Sequence, residues 1–277
     1  MMHRNGWSRI VAATFVVVLL AGLGTAQKLA AYPGGTPRLV TNTGPGCTNC
    51  HSSVNADQLR DVPADAQASL LIEGRHFKEI NEGEENYQKL SPADREKLIT
   101  AIKAIDSHSS VSLAASATKV KKGAPLTVTV TTKGGGGPVI GVMLTDNDLR
   151  YQSSPVQVEG FLITAAPQVT GPDGKPQTKF LDGRAAGLMK NINYVNIQDV
   201  KSDPDAGTYP ECKVVYALQA PSAAGEYTIS AAFLYGTEKA TTLGRVEGPG
   251  GRVYPLGGGG AHSGRVAFAK PLKVVVQ

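Results

Sequence analysis

Pro125-Leu126-Thr127-Val128-Thr129-Val130-Thr131 alternates apolar residues with threonine at a period of two. Such spacing sends successive side chains to opposite faces of a sheet, and β-branched residues suit the pleat, so the stretch reads as a half-buried strand. Just beyond it, Gly134 to Gly137 reads as a loop and Val139-Ile140-Gly141-Val142-Met143-Leu144 as a strand with no polar face. Tyr194-Val195-Asn196-Ile197, Lys213 to Leu218, Tyr227 to Phe233, Arg265 to Phe268 and Leu272 to Val276 continue the series. Short strands separated by turn signals imply an antiparallel β-sandwich over residues 110–277.

Composition narrows the class of the remainder. The chain has 277 residues with 32 Gly and 17 Pro, too few for a collagen-like or wholly disordered chain. Aromatic residues make up 6%, which suits small cores and long surface loops. A mean hydropathy of −0.12 excludes a polytopic membrane protein. Three cysteines are too few for a disulfide scaffold. The net charge of +5 is dispersed, and no Lys/Arg cluster alternates with aromatics, so no nucleic-acid partner is expected.

The N-terminus carries a targeting signal. Arg4 and Arg9 precede an apolar run from Ile10 to Leu23, and no charge follows until Lys28. A basic lead, an apolar run and the small residues Gly24 and Ala26 together read as a secretory signal over residues 1–26. An uncleaved membrane anchor is the competing reading, because Ile10 to Ala26 is just long enough to span a bilayer and Trp7 suits the interface. Both readings place everything after residue 26 on the periplasmic or extracellular side, either secreted or tethered to the membrane.

The strongest chemical signal is Cys47-Thr48-Asn49-Cys50-His51. C-x-x-C-H is the attachment pattern of haem c: two thiols add across the two porphyrin vinyl groups, and the adjacent histidine ligates the iron. A thioredoxin-like dithiol needs a preceding strand, whereas the motif here follows the Pro/Gly/Thr-rich stretch Tyr32 to Gly46. A zinc site needs a second ligand pair, and the sequence has no other C-x-x-C or H-x-x-x-H. A structural disulfide between Cys47 and Cys50 is the remaining competitor. Further along, Ser91 stands as an N-cap before Pro92, and Leu98, Ile102 and Ile105 fall on one stripe of a helix that closes near Ile105.

On these two features, residues 40–106 resemble a mono-haem c-type cytochrome. The resemblance implies a small α-helical haem domain over residues 27–109, whose closing helix packs across the helix that precedes or carries the motif. It implies one covalent haem c on Cys47 and Cys50, with His51 as proximal iron ligand. Many such cytochromes use a distal methionine, but Met1, Met2, Met143 and Met189 all lie outside the span from His51 to the closing helix. His76 is therefore taken as the distal ligand, with His108 as the first alternative and a methionine from outside that span or an open site as the others. The competing readings are a solvated His76 beside Arg75 and Lys78, and a His108 that acts on the helix dipole.

The fold class expected for the whole chain is α+β and multidomain: an N-terminal apolar helix, the helical haem domain and the sandwich. Pro221 to Ile229 resembles the late-strand corner of immunoglobulin- or fibronectin-like domains, which implies a fold and no site. No catalytic constellation is visible in the sandwich. Cys212 reads as a free buried thiol, and the nearest histidine, His262, stands 50 residues on in the glycine-rich loop Gly257 to Gly264. That loop reads as mobile and as a docking surface, and Asp203-Pro204-Asp205 as a solvated turn lacking an EF-hand's ligand spacing. The expected function is one-electron transfer to or from a larger redox complex, a photosynthetic reaction centre or respiratory enzyme. It is a carrier's role and not an enzyme's, because a six-coordinate iron has no place for substrate. The alternative is an extracellular binding or adhesion module with haem as sensor or stabiliser.

Overall fold

The computed structural model describes residues 51–182, 191–257 and 263–277. The expected signal or anchor over residues 1–26, together with Cys47, Cys50, Met189 and His262, lies outside the described residues. In chain order the strands are β1 (Ser52–Ser53), β2 (Ser110–Ala115), β3 (Lys119–Val120), β4 (Pro125–Lys133), β5 (Ile140–Thr145), β6 (Leu162–Ile163), β7 (Gln168–Thr170) and β8 (Pro176–Gln177). They continue as β9 (Val195–Ile197), β10 (Glu211–Gln219), β11 (Gly225–Tyr235), β12 (Arg245–Glu247), β13 (Val253–Pro255), β14 (Arg265–Phe268) and β15 (Leu272–Val276).

The period-two stretches form the strands they were expected to form. In β4 the inward positions are Leu126, Val128, Val130 and Thr132, opposite Leu218, Tyr216, Val214 and Cys212 of β10. These belong to a six-stranded sheet ordered β2-β4-β10-β7-β8, with β6 also on β10. A seven-stranded sheet is built around β11, which takes β5 on one side and β14 and β15 on the other. Val142, Leu144, Phe233, Val128, Val130 and Val214 meet in one apolar core shared by both sheets, a sandwich-like arrangement. Each such side chain contributes on the order of 1.5–3 kcal/mol by leaving water. The described chain is thus mostly β-sheet with few helices.

The helical part is sparse. Its helices are α1 (Ala64–Gln67), a π-helical turn over Glu73–Phe77 that runs into α2 (Lys78–Glu82), and α3 (Pro92–His108). Short 3-10 turns join them. α3 starts where expected: the Ser91 hydroxyl accepts from the Asp94 amide at 3.2 Å, and Pro92 occupies the first turn. Its apolar stripe is divided. Leu98 and Ile102 pack with Phe77, Ile80, Tyr87 and Leu256, whereas Ile105 joins the sandwich core. Residues on both sides of the 109/110 boundary therefore share their cores, and the described residues all lie in one compact unit. Directly after His51 the chain enters a strand, not a helix: β1 runs parallel to β14, with Ser52 opposite Arg265 and Ser53 opposite Val266. No helix among the described residues is long and apolar enough to cross a membrane.

Candidate functional site

His51 is half-buried at the start of β1. Its Nδ1 lies 3.1 Å from the carbonyl oxygen of Arg265, which can only accept. The imidazole rests on Gly264, where a Cβ would collide with the ring. This contact accounts for one glycine of the run Gly257 to Gly264, and Gly257 abuts the Tyr87 hydroxyl in the same way. The described ends of that loop are therefore packed against side chains. The His51 carbonyl accepts from Arg150 and, at 3.4 Å, from Arg75. Desolvation lowers the imidazole to about 4, with Arg150, Arg265 and Arg75 adding to it against the pull of the Arg265 carbonyl. His51 is therefore neutral at neutral pH, its Nδ1 proton given to a carbonyl and its Nε2 carrying a lone pair.

Beneath Arg265 lies a buried polar network. The Arg265 guanidinium is fully buried and donates from Nε to both oxygens of Asp106 at 3.1 Å. Its Nη2 lies 2.9 Å from His76 Nδ1. A guanidinium can only donate, so His76 Nδ1 accepts, and its Nε2 carries the proton directed at Glu238 and, at 3.0 Å, at the Tyr87 hydroxyl. Tyr87 in turn donates to Glu238 at 2.8 Å, and Thr237 covers the second carboxylate oxygen at 2.9 Å. Tyr235 donates to Asp106 at 3.1 Å.

The electrostatics follow from this pairing. Burial alone would raise Glu238, but the hydrogen bonds from His76 and the Tyr87 hydroxyl and the charge of Arg265 bring it down to about 2. Burial keeps Asp106 above the usual carboxylate range despite Arg265 and Tyr235. Burial also raises the Tyr87 and Tyr235 hydroxyls, which stay protonated and donate.

The histidines singled out in the sequence thus take different places. His76 is fully buried with both ring nitrogens bonded to protein groups, so ligation through Nε2 requires that nitrogen to leave Glu238 and Tyr87. It is not the solvated side chain of the competing reading. His108 sits at the exposed end of α3, its Nδ1 2.8 Å from the Ala104 carbonyl and its ring stacked on Tyr209 at 4.2 Å. That placement is the helix-terminal role weighed against ligation. Met143 is buried in β5 beside Tyr194, Ala232, Leu234, Val266 and Phe268. Cys212 is a free, buried thiol pushed up to about 12 by burial first and then by Glu211 and Asp173, hence unreactive. Asp203 accepts from the Asp205 and Ala206 amides, the turn expected there. Among the described residues there is no group of three or more His, Cys, Asp or Glu that could hold a metal ion.

The sequence reading missed Arg265, Glu238, Asp106 and Tyr87. A signal was available in the first two: Arg265 opens an otherwise apolar strand, and Glu238 follows the apolar end of another.

No family model matches the chain, and no curated protein matches it. Among solved structures it is similar to the bacterial hydrophobin BslA, with 14% identity over 61% of this chain and 95% of that one, at a TM-score of 0.32. It is also similar to the N-terminal domain of the Streptococcus gordonii adhesin Sgo0707, with 10% identity over 62% of this chain and 33% of that one, TM-score 0.32. The CARDB domain of the Pyrococcus furiosus PF1109 protein gives 14% identity over 61% and 90%, TM-score 0.24.

Proposed function

We propose that this chain is an exported c-type cytochrome that carries one electron at a time to or from a larger redox complex. The observation that carries the reading is the state of His51. It follows directly on Cys47-Thr48-Asn49-Cys50, is held neutral, and has Nδ1 committed to a carbonyl, as an imidazole must be to offer Nε2 to iron. Cys47 and Cys50 would each form one thioether bond by adding S–H across a porphyrin vinyl group. The bound group supplies a one-electron iron couple. The protein's own part is to fix the direction of the imidazole, to keep its lone pair unprotonated, and to surround it with the fixed charges of Arg75, Arg150 and Arg265. The sixth iron position is His76's only if the network around Glu238 yields, and that cost counts against it. The N-terminal segment 1–26 would deliver the chain to a compartment where haem is attached, as a cleaved signal or as an anchor that keeps it near a membrane-bound partner. An immunoglobulin- or fibronectin-like sandwich would then serve as the docking body.

The test is the absorption spectrum of the exported full-length protein with pyridine haemochrome analysis. One covalent haem per chain is expected, and replacing both Cys47 and Cys50 by Ser abolishes haem staining on a denaturing gel. Staining that survives both changes, or a wild-type protein exported with maturation machinery yet devoid of haem, overturns the reading.

A further inference from the structure

Arg265 holds two positions at once. Its main-chain carbonyl takes the His51 Nδ1 proton at 3.1 Å, while its side chain is clasped by both oxygens of Asp106 and by His76 Nδ1. The side chain is fully buried, so these bonds are not exchanged for water, and the Phe77 ring lies 5.8 Å from the guanidinium. An imidazole is oriented, and its second nitrogen made more basic, by whatever holds its first N–H. Here that partner is a carbonyl at the first residue of a strand only four residues long, preceded by a glycine. Pairing with Ser52 on one side and Tyr235 on the other holds the main chain there, and the three-point grip on the same residue's guanidinium adds a side-chain anchor to that hold. A planar fork suits this task, because its bonds fix direction as well as distance.

We propose that Arg265 is the positioning residue of the His51 site, and that the buried charges of Asp106 and Glu238 act through it on the iron's proximal ligand. The second half rests on the haem reading above. The first half does not, since the bond between His51 Nδ1 and the Arg265 carbonyl is made by the chain's own groups. Glu238 reaches Arg265 through His76 and Asp106 reaches it directly, so both balance its positive charge. Neutralising either carboxylate leaves more positive charge beside the proximal ligand, which disfavours ferric iron and raises the potential.

Two measurements on the full-length chain test this. In haem-free protein made without export and labelled with ¹⁵N-histidine, His51 is expected as a single Nδ1–H tautomer with a slowly exchanging ring proton. Arg265→Lys keeps the charge and loses the fork, so exchange becomes roughly tenfold faster, the order expected for one weakened hydrogen bond. Asp106→Asn provides the same reading should Arg265→Lys fail to fold. In the exported, haem-loaded protein, Asp106→Asn and Glu238→Gln both shift the midpoint potential upward, while Lys103→Gln, on the exposed side of α3, does not. A folded Arg265→Lys with wild-type tautomer and exchange overturns the positioning role. Unchanged potentials in both carboxylate variants overturn the electrostatic role. A wild-type chain without haem removes the electrostatic role together with the haem reading, and the tautomer measurement still decides whether Arg265 positions His51.

Discussion

The space between the two sheets is filled by Val128, Val130, Val142, Val214 and Phe233, while the space between α3 and β14 is filled by His76, Asp106, Glu238 and Arg265. Both regions exclude water. Their energetics differ in kind. In the first, every group gains from leaving water, and the contacts are non-directional and roughly additive. In the second, each ion loses hydration, and only the full set of partners restores it. An apolar interior tolerates exchange of similar shapes, whereas a charged one is all or nothing. This explains how a helical segment with a modest apolar core of its own, centred on Phe77, Ile80, Leu98 and Ile102, keeps one defined arrangement against a sheet.

The comparison is tested most severely by removing one member from each side. Arg265→Met leaves Asp106 without its ion-pair partner and removes the positive charge that balances Glu238 through His76, and should cost about 3–5 kcal/mol, the range for breaking a buried ion pair. Leu144→Ala in the sandwich should cost about 2–5 kcal/mol, as a cavity beside apolar neighbours does. The two losses are similar, but their repair is not. Adding Asp106→Leu and Glu238→Gln to Arg265→Met should recover most of the stability in urea melts, because the uncompensated charge goes with its partners. If the triple variant is less stable than Arg265→Met alone, the network contributes as packing, and the contrast between the regions fails.

The sandwich was legible in the sequence because alternation is a local property. Leu126, Val128 and Val130 declare a strand without reference to anything else in the chain. Ser91, Pro92 and the Leu98-Ile102-Ile105 stripe declare α3 by the same kind of local rule. The site was legible only as far as its motif ran. His51 was found because it adjoins Cys50, but the group that orients it lies 214 residues away. His76 stood out in the sequence as a candidate iron ligand, and its partners in the fold were not visible, since Tyr87, Glu238 and Arg265 come from three elements with no shared period. Strand β1 was missed because Ser52 and Ser53 have no apolar pattern, and their pairing is supplied by β14.

Acid should affect the polar junction before the sandwich interior. Glu238 is held at about 2 in the fold against 4.5 in its ordinary state. The unfolded chain therefore takes up this proton first as the pH falls, so the stabilisation is complete above 4.5 and is lost progressively toward 2. Stability of the haem-free chain, followed by urea unfolding from pH 6 downward, should decline through that window more steeply in the wild type than in Glu238→Gln. Parallel curves for the two proteins would place the acid sensitivity elsewhere and weaken the claim that this carboxylate is stabilised as an anion.

The smallest expected effect is at His108, which lies outside both regions. Its ring is exposed, its Nδ1 is 2.8 Å from a carbonyl in the last turn of α3, and it stacks on Tyr209 with the rings 5° from parallel. A positive or donating group at a helix C-terminus contributes about 0.3–1 kcal/mol. His108→Ala should lower stability by that amount and, if haem is bound as proposed, leave its spectrum unchanged, because neither the strip of backbone that holds His51 nor the network under it includes residue 108. A change to a high-spin spectrum in this variant would have a definite meaning. It would make His108 the sixth ligand, release His76 to its structural role with Glu238, and require the end of α3 to swing toward β14 when haem is attached.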